Sequence, residues 1–102
     1  MPFRFRALAR RDVEATGAYD AREAGGAVSS GFYIALDKAV TLLQQEPDAG
    51  SLRWSHDANL TGLRSWPLTG FPYLVFYTQG PRGIDVTRVL HTSRDIPATL
   101  QD

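Results

Sequence analysis

Four side chains in the C-terminal half could do chemistry: Arg64, Arg88, His91 and Arg94, with Asp95 directly after the last. A planar guanidinium offers a fork of N–H donors that matches phosphate or carboxylate oxygens. Several converging on one surface would bind an acidic partner or a nucleic-acid backbone. His91 adds a group able to take or give a proton near neutral pH. Arg88 differs from the rest because it lies in an apolar strand, where an unpaired charge would be costly. Its expected partner is a carboxylate inside the fold, Asp12 or Glu14. Other chemistries lack their residues: there is no glycine-flanked serine elbow, phosphate loop, dinucleotide fingerprint or histidine pair at metal spacing. His56 and His91 stand far apart, so no metal and no other cofactor is expected, and His56 reads as a solvated loop residue.

The elements that must position these groups follow from periodicity. Phe71 to Tyr77 carries no charge, which predicts a strand covered on both faces. Gly80-Pro81-Arg82-Gly83 supplies a turn. The return strand alternates Ile84, Val86, Arg88 and Leu90 against Asp85, Thr87, Val89 and His91. Leu63 to Leu68 predicts another strand, which Pro67 places at an edge or a bulge. Upstream, Phe3-Arg4-Phe5-Arg6 alternates as a short strand. Ala9, Val13, Thr16 and Tyr19 or Asp20 recur at helical spacing, predicting a first helix over about 8–23. Gly17 in its middle costs about 1 kcal/mol relative to alanine, so packing must hold this helix. Gly25-Gly26 breaks it so briefly that the next helix must return antiparallel. That second helix has one apolar stripe, Val28, Phe32, Ala35, Leu36, Ala39, Leu42 and Leu43, and ends before Pro47. Residues 51–60 are polar around Trp54 and His56 and read as a surface loop.

The order strand, two helices, three strands and a tail predicts an α+β fold, a two-layer β-α-α-β-β-β sandwich with the helical hairpin on one side of the sheet. The other face, the sheet edge and the tail are then left for function. One domain over residues 1–102 is long enough to bury a core without staples, and there is no cysteine, which fits a reducing cytoplasm. No secretory signal and no membrane span is expected. Eleven basic and eleven acidic residues cancel, which argues against coating nucleic acid by charge alone. Every basic residue but Lys38 is arginine, and after Arg53 the acids thin to Asp57, Asp85, Asp95 and Asp102.

Ala9-x-x-Asp12-Val13-x-x-Thr16-x-x-Tyr19 resembles the first helix of the ParE/RelE toxin superfamily, and the second helix to Leu43 with Pro47-x-x-Gly50 resembles the next. Leu63-Arg64, Phe71-Pro72-Tyr73-x-Val75-Phe76-Tyr77 and Ile84-x-Val86-x-Arg88-Val89-Leu90-His91-x-x-Arg94-Asp95-Ile96 resemble its C-terminal half. The resemblance implies a type II toxin of the β-α-α-β-β-β fold, made beside an antitoxin that wraps and silences it. The RelE-like branch cleaves messenger RNA on the ribosome, and the ParE-like branch inhibits DNA gyrase. The nuclease branch uses lysines on the second strand, an arginine opening the third, an arginine after the fourth and often a tyrosine in the tail. Here the second strand has Arg64 but no lysine, the third opens Pro72-Tyr73, and Leu100 stands near the expected tyrosine, while Arg94 is retained. The resemblance therefore favours a ParE-like toxin that is not an enzyme. The expected contact with gyrase is through Arg64, Arg88, His91, Arg94, Asp95 and the tail to Asp102, and the resemblance implies an antitoxin with a ribbon-helix-helix DNA-binding domain. A ribosome-dependent endoribonuclease using Arg64, His91 and Arg94, and an inactive member that only binds its antitoxin, are the alternatives.

Overall fold

The chain runs β1 (Phe3–Phe5), α1 (Ala7–Glu23), α2 (Gly26–Gln45), α3 (Arg53–Asp57), β2 (Arg64–Pro67), β3 (Tyr73–Gly80), β4 (Gly83–His91) and α4 (Ile96–Leu100) in a computed structural model. The structure describes residues 2–23 and 25–101, without the side chains of 19–23 and 27–29, so Tyr19, Asp20 and Val28 of the expected stripes and Asp102 of the tail lie outside the description. The four-stranded sheet has the order β1-β4-β3-β2. β2–β3 and β3–β4 are antiparallel, while β1 lies parallel to β4, with Phe3 opposite Ile84 and Phe5 opposite Val86. The α+β architecture predicted from periodicity is the one observed.

α2 forms where its apolar stripe has a surface to cover. Phe32, Leu36, Ala39, Val40 and Leu43 are buried with Ala9 of α1 against Val75, Tyr77, Ile84, Val86 and Val89 of the sheet. Burying a side chain the size of Phe32 contributes about 1.5–3 kcal/mol, and the buried stripe as a whole works against the ordering cost of a helix with no side-chain N-cap. Gly17 allows α1 and α2 to approach, since a Cβ there would overlap the ring of Tyr33. The mid-helix glycine thus makes room for the Tyr33 ring of α2 against α1.

Two features depart from expectation. Residues 51–60 are not simply a polar loop: α3 forms there, and Trp54 packs against a second cluster made by Ala58, Leu63, Phe76, Leu90 and Ile96. Phe76 alternates with Val75 and Tyr77, so this cluster lies on the sheet face away from the helical hairpin. That face is covered at its centre by α3 and α4, not left open. The second departure is a β-bulge. Phe76 pairs with Arg88 but Tyr77 pairs with Val86, so Thr87 is an additional residue in β4. Its hydroxyl donates to the Phe76 carbonyl at 3.2 Å. The bulge shifts the alternation by one: Ile84, Val86 and Val89 face the helical hairpin, and Leu90 faces away with Phe76. Strict alternation would have put Leu90 with Val86.

Candidate functional site

Each of the five expected site residues has a definite place. Arg64 opens β2, an edge strand, opposite Tyr77. Its Nη1 donates to the carbonyls of Asp48 at 3.0 Å and Gly50 at 2.8 Å, and its Nη2 lies 3.6 Å from Asp48 Oδ1. The Tyr77 hydroxyl completes this anchor, accepting from the Gly50 N–H at 2.9 Å and donating to the Pro47 carbonyl at 2.8 Å. Burial pushes the tyrosine hydroxyl above its ordinary titration range, against the opposing pull of the Gly50 hydrogen bond and Arg64. Arg64 therefore pins the turn that ends α2.

Arg88 pairs with Asp12, one of the two carboxylates expected for it. Nε donates to Oδ2 at 2.8 Å and Nη2 to Oδ1 at 3.0 Å, a bidentate pair in which both side chains are largely buried. Asp12 Oδ2 also accepts the backbone N–H of Val89 at 3.0 Å. That amide lies beyond the stretch of β4 covered by β1, so Asp12 serves as its partner on the sheet edge. Arg88 Nη1 reaches the Thr99 carbonyl in α4 at 3.4 Å.

His91 ends β4 opposite Tyr73, with ring centroids 5.1 Å apart in an edge arrangement, and Tyr73 in turn packs on Phe32. This puts His91 on the side of the helical hairpin. Its Nδ1 accepts the Ser93 N–H at 3.0 Å, so the neutral ring carries its proton on Nε2. The Arg94 N–H donates to the His91 carbonyl at 3.1 Å, closing a turn that leaves the Arg94 side chain exposed and, among the described residues, without a hydrogen-bond or ion-pair partner. Asp95 caps α4: its Oδ1 accepts from Ala98 N–H at 3.4 Å, and its carbonyl accepts from the Thr99 amide and hydroxyl. The fold thus gathers His91, Arg94 and Asp95 at the end of β4, and Arg88 touches the tail through Thr99. Arg64 stands apart on β2. No group of three or more His, Asp or Glu among the described residues could hold a metal ion.

A surface that residue types alone did not single out lies between α2 and β2. A groove of about 520 Å³ is lined by Ile34, Ala35, Leu42, Trp66 and Phe71, with Lys38 among its lining residues. Ile34 is 56% exposed, the most open large apolar side chain among the described residues. The open edge of β2 beside it is blunted. Ser51 exchanges both backbone hydrogen bonds with Ser65, and Pro67 has no N–H to offer. The outward apolar positions of α2 were a possible signal for this groove.

A four-stranded sheet in the order β1-β4-β3-β2 with a helical hairpin on one face is a RelE/ParE-like fold. The family model described as ParE toxin of type II toxin-antitoxin system, parDE, matches residues 3–96, and the chain belongs to that family. Among solved structures, a chain of the chromosomal ParDE TA system from P. aeruginosa is similar, with a TM-score of 0.74 and 18% identity over 89% of this chain and 95% of that one. The likeness at that identity is one of fold. No curated protein sequence matches. Membership of a ParDE family brings with it a cognate antitoxin as partner.

Proposed function

We propose that this toxin arrests growth by binding DNA gyrase, not by turning over a substrate, and that it acts in the cytoplasm. The observation that carries this reading is how the cationic groups are occupied. RNA cleavage through the 2′-hydroxyl requires an acid, a base and cations around one phosphate. Arg64 is bound to two backbone carbonyls, Arg88 to Asp12, and His91 Nδ1 to Ser93, with the ring turned toward the helical hairpin. Among these site residues that leaves exposed Arg94 and the adjoining tail as the open polar surface, suited to contact and not to a two-group proton transfer. No helix among the described residues is long and apolar enough to cross a membrane.

The antitoxin, with a ribbon-helix-helix DNA-binding domain, neutralises by ordering an apolar segment along the groove between α2 and β2. The blunted β2 edge favours a helix over an added strand there. A supercoiling assay with gyrase of the source organism, paired with a ribosome-bound mRNA cleavage assay, tests the target. Blocked supercoiling with intact message supports gyrase binding, lost in Arg94→Ala. Codon-positioned cuts with normal supercoiling would overturn it and make His91 and Arg94 catalytic candidates. Neither effect, with antitoxin binding retained, would identify a member that only binds its antitoxin.

A further inference from the structure

We infer that Asp12 is a positioning residue for the C-terminal segment: through Arg88 it tethers α4 to α1 and so fixes where the tail is presented. Ile96–Leu100 is far too short to hold helical structure alone, because nucleation costs more than one turn of hydrogen bonds returns. Four supports hold it: Ile96 and Leu100 against the second cluster, the Asp95 cap at its start, Gln101 Nε2 on the Asp57 carbonyl at 3.2 Å, and the Arg88 guanidinium on the Thr99 carbonyl at its end. The last is a cation at a helix C-terminus, where the unsatisfied carbonyls concentrate negative potential.

Arg88 can serve there only if it is aimed. Its side chain leaves β4 beside the bulge at Thr87, beyond the cover of β1. Asp12 binds two of its nitrogens and holds the neighbouring Val89 N–H, so one carboxylate fixes both the guanidinium and the backbone from which it projects. The third nitrogen is thereby left pointing at α4. A helix of the hairpin and the tail are joined across the sheet edge by a single bidentate pair. The role assigned to the tail rests on the gyrase reading above; the tether itself does not.

Amide hydrogen exchange on the full chain tests the tether without reference to any target. Asp12→Asn and Arg88→Met each remove the aimed contact, and Arg88→Lys keeps the charge without the fork. Exchange at Ala98, Thr99 and Leu100 is expected to rise about tenfold or more in the first two variants and less in Arg88→Lys, as loss of a charged hydrogen bond implies. Protection in β3 and β4 should change little by comparison. Unchanged exchange in α4, or acceleration spread evenly over the sheet, would overturn the tether and leave Asp12–Arg88 a plain stabilising pair. If Asp12→Asn does not fold, Arg88→Lys carries the same comparison. Gyrase inhibition is then read on the same proteins. Loosened α4 with inhibition intact retains the tether and refutes the tail as target contact, whereas loss of both supports each.

Discussion

Replacing Tyr77 by phenylalanine removes one oxygen and nothing else, and the structure says what that oxygen does. It accepts the Gly50 N–H at 2.9 Å and donates to the Pro47 carbonyl at 2.8 Å, in a residue whose surface is 0% exposed. The Pro47 carbonyl retains a second donor, Gln79 Nε2 at 3.3 Å. The Gly50 N–H is left with no acceptor, and an orphaned buried donor costs about 1–3 kcal/mol. Taking about 2 kcal/mol, and about 4–8 °C per kcal/mol for a domain of this size, Tm should fall by about 10 °C. The variant should also lose a pH dependence. Burial raises the folded-state pKa of Tyr77 above its ordinary 10.0, so the native state keeps a proton that the unfolded chain releases. The associated stability is complete below about pH 10 and is lost as pH rises beyond it. Thermal melts of both proteins at about pH 7 and about pH 10.5 read both effects, with the gap narrowing at the higher pH. A Tm within about 2 °C of wild type at neutral pH, or a gap that does not narrow, would refute the anchor.

Three further outcomes follow from the same structure. Gly50→Ala places a Cβ 2.5 Å from the Tyr77 hydroxyl oxygen and 2.7 Å from its ring. That ring is buried and cannot swing away, so overpacking should cost about 1–3 kcal/mol in a urea titration. Gly17→Ala should cost less, because the Tyr33 ring it meets is 43% exposed and can rotate outward. For Asp85, the Arg4 hydrogen bond at 2.7 Å, with Arg6 at 3.3 Å, holds the carboxyl below its usual 3.8. That stability is present above about pH 3.8 and is lost as pH falls through the lower folded value. Asp85→Asn should therefore flatten the acid limb of the unfolding curve, an effect that added salt mimics because both arginines are solvent-exposed.

The parts of this fold that a reader could take from the sequence are those where one periodicity governs a whole element. The α2 stripe, the edge position of β2 announced by Pro67, and a carboxylate for Arg88 all follow from local pattern and the cost of an unpaired charge. What was not legible depends on residues acting at a distance. Trp54 sits in a polar stretch, and only the presence of Leu63, Leu90 and Ile96 opposite makes that stretch a covering element. The bulge at Thr87 has no glycine or proline to mark it. Arg64 reads as a free cation until the ending of α2 brings the Asp48 and Gly50 carbonyls to it. Short polar side chains and backbone carbonyls leave no periodic trace, so the partners that hold an arginine in place are not legible from sequence alone.

The parallel pairing of β1 with β4 has a consequence for the order of events when this toxin is made. Phe3 must wait for Ile84, so the first strand synthesised has no partner until the last has emerged. Bringing segments so remote together is entropically slow compared with forming the helical hairpin or the β3–β4 turn. The chain can collapse locally, but it cannot close its sheet or seat Asp12 on the Val89 N–H until β4 is present. A domain built this way keeps one sheet edge of β4 uncovered until residues 3–5 and 84–86 have met.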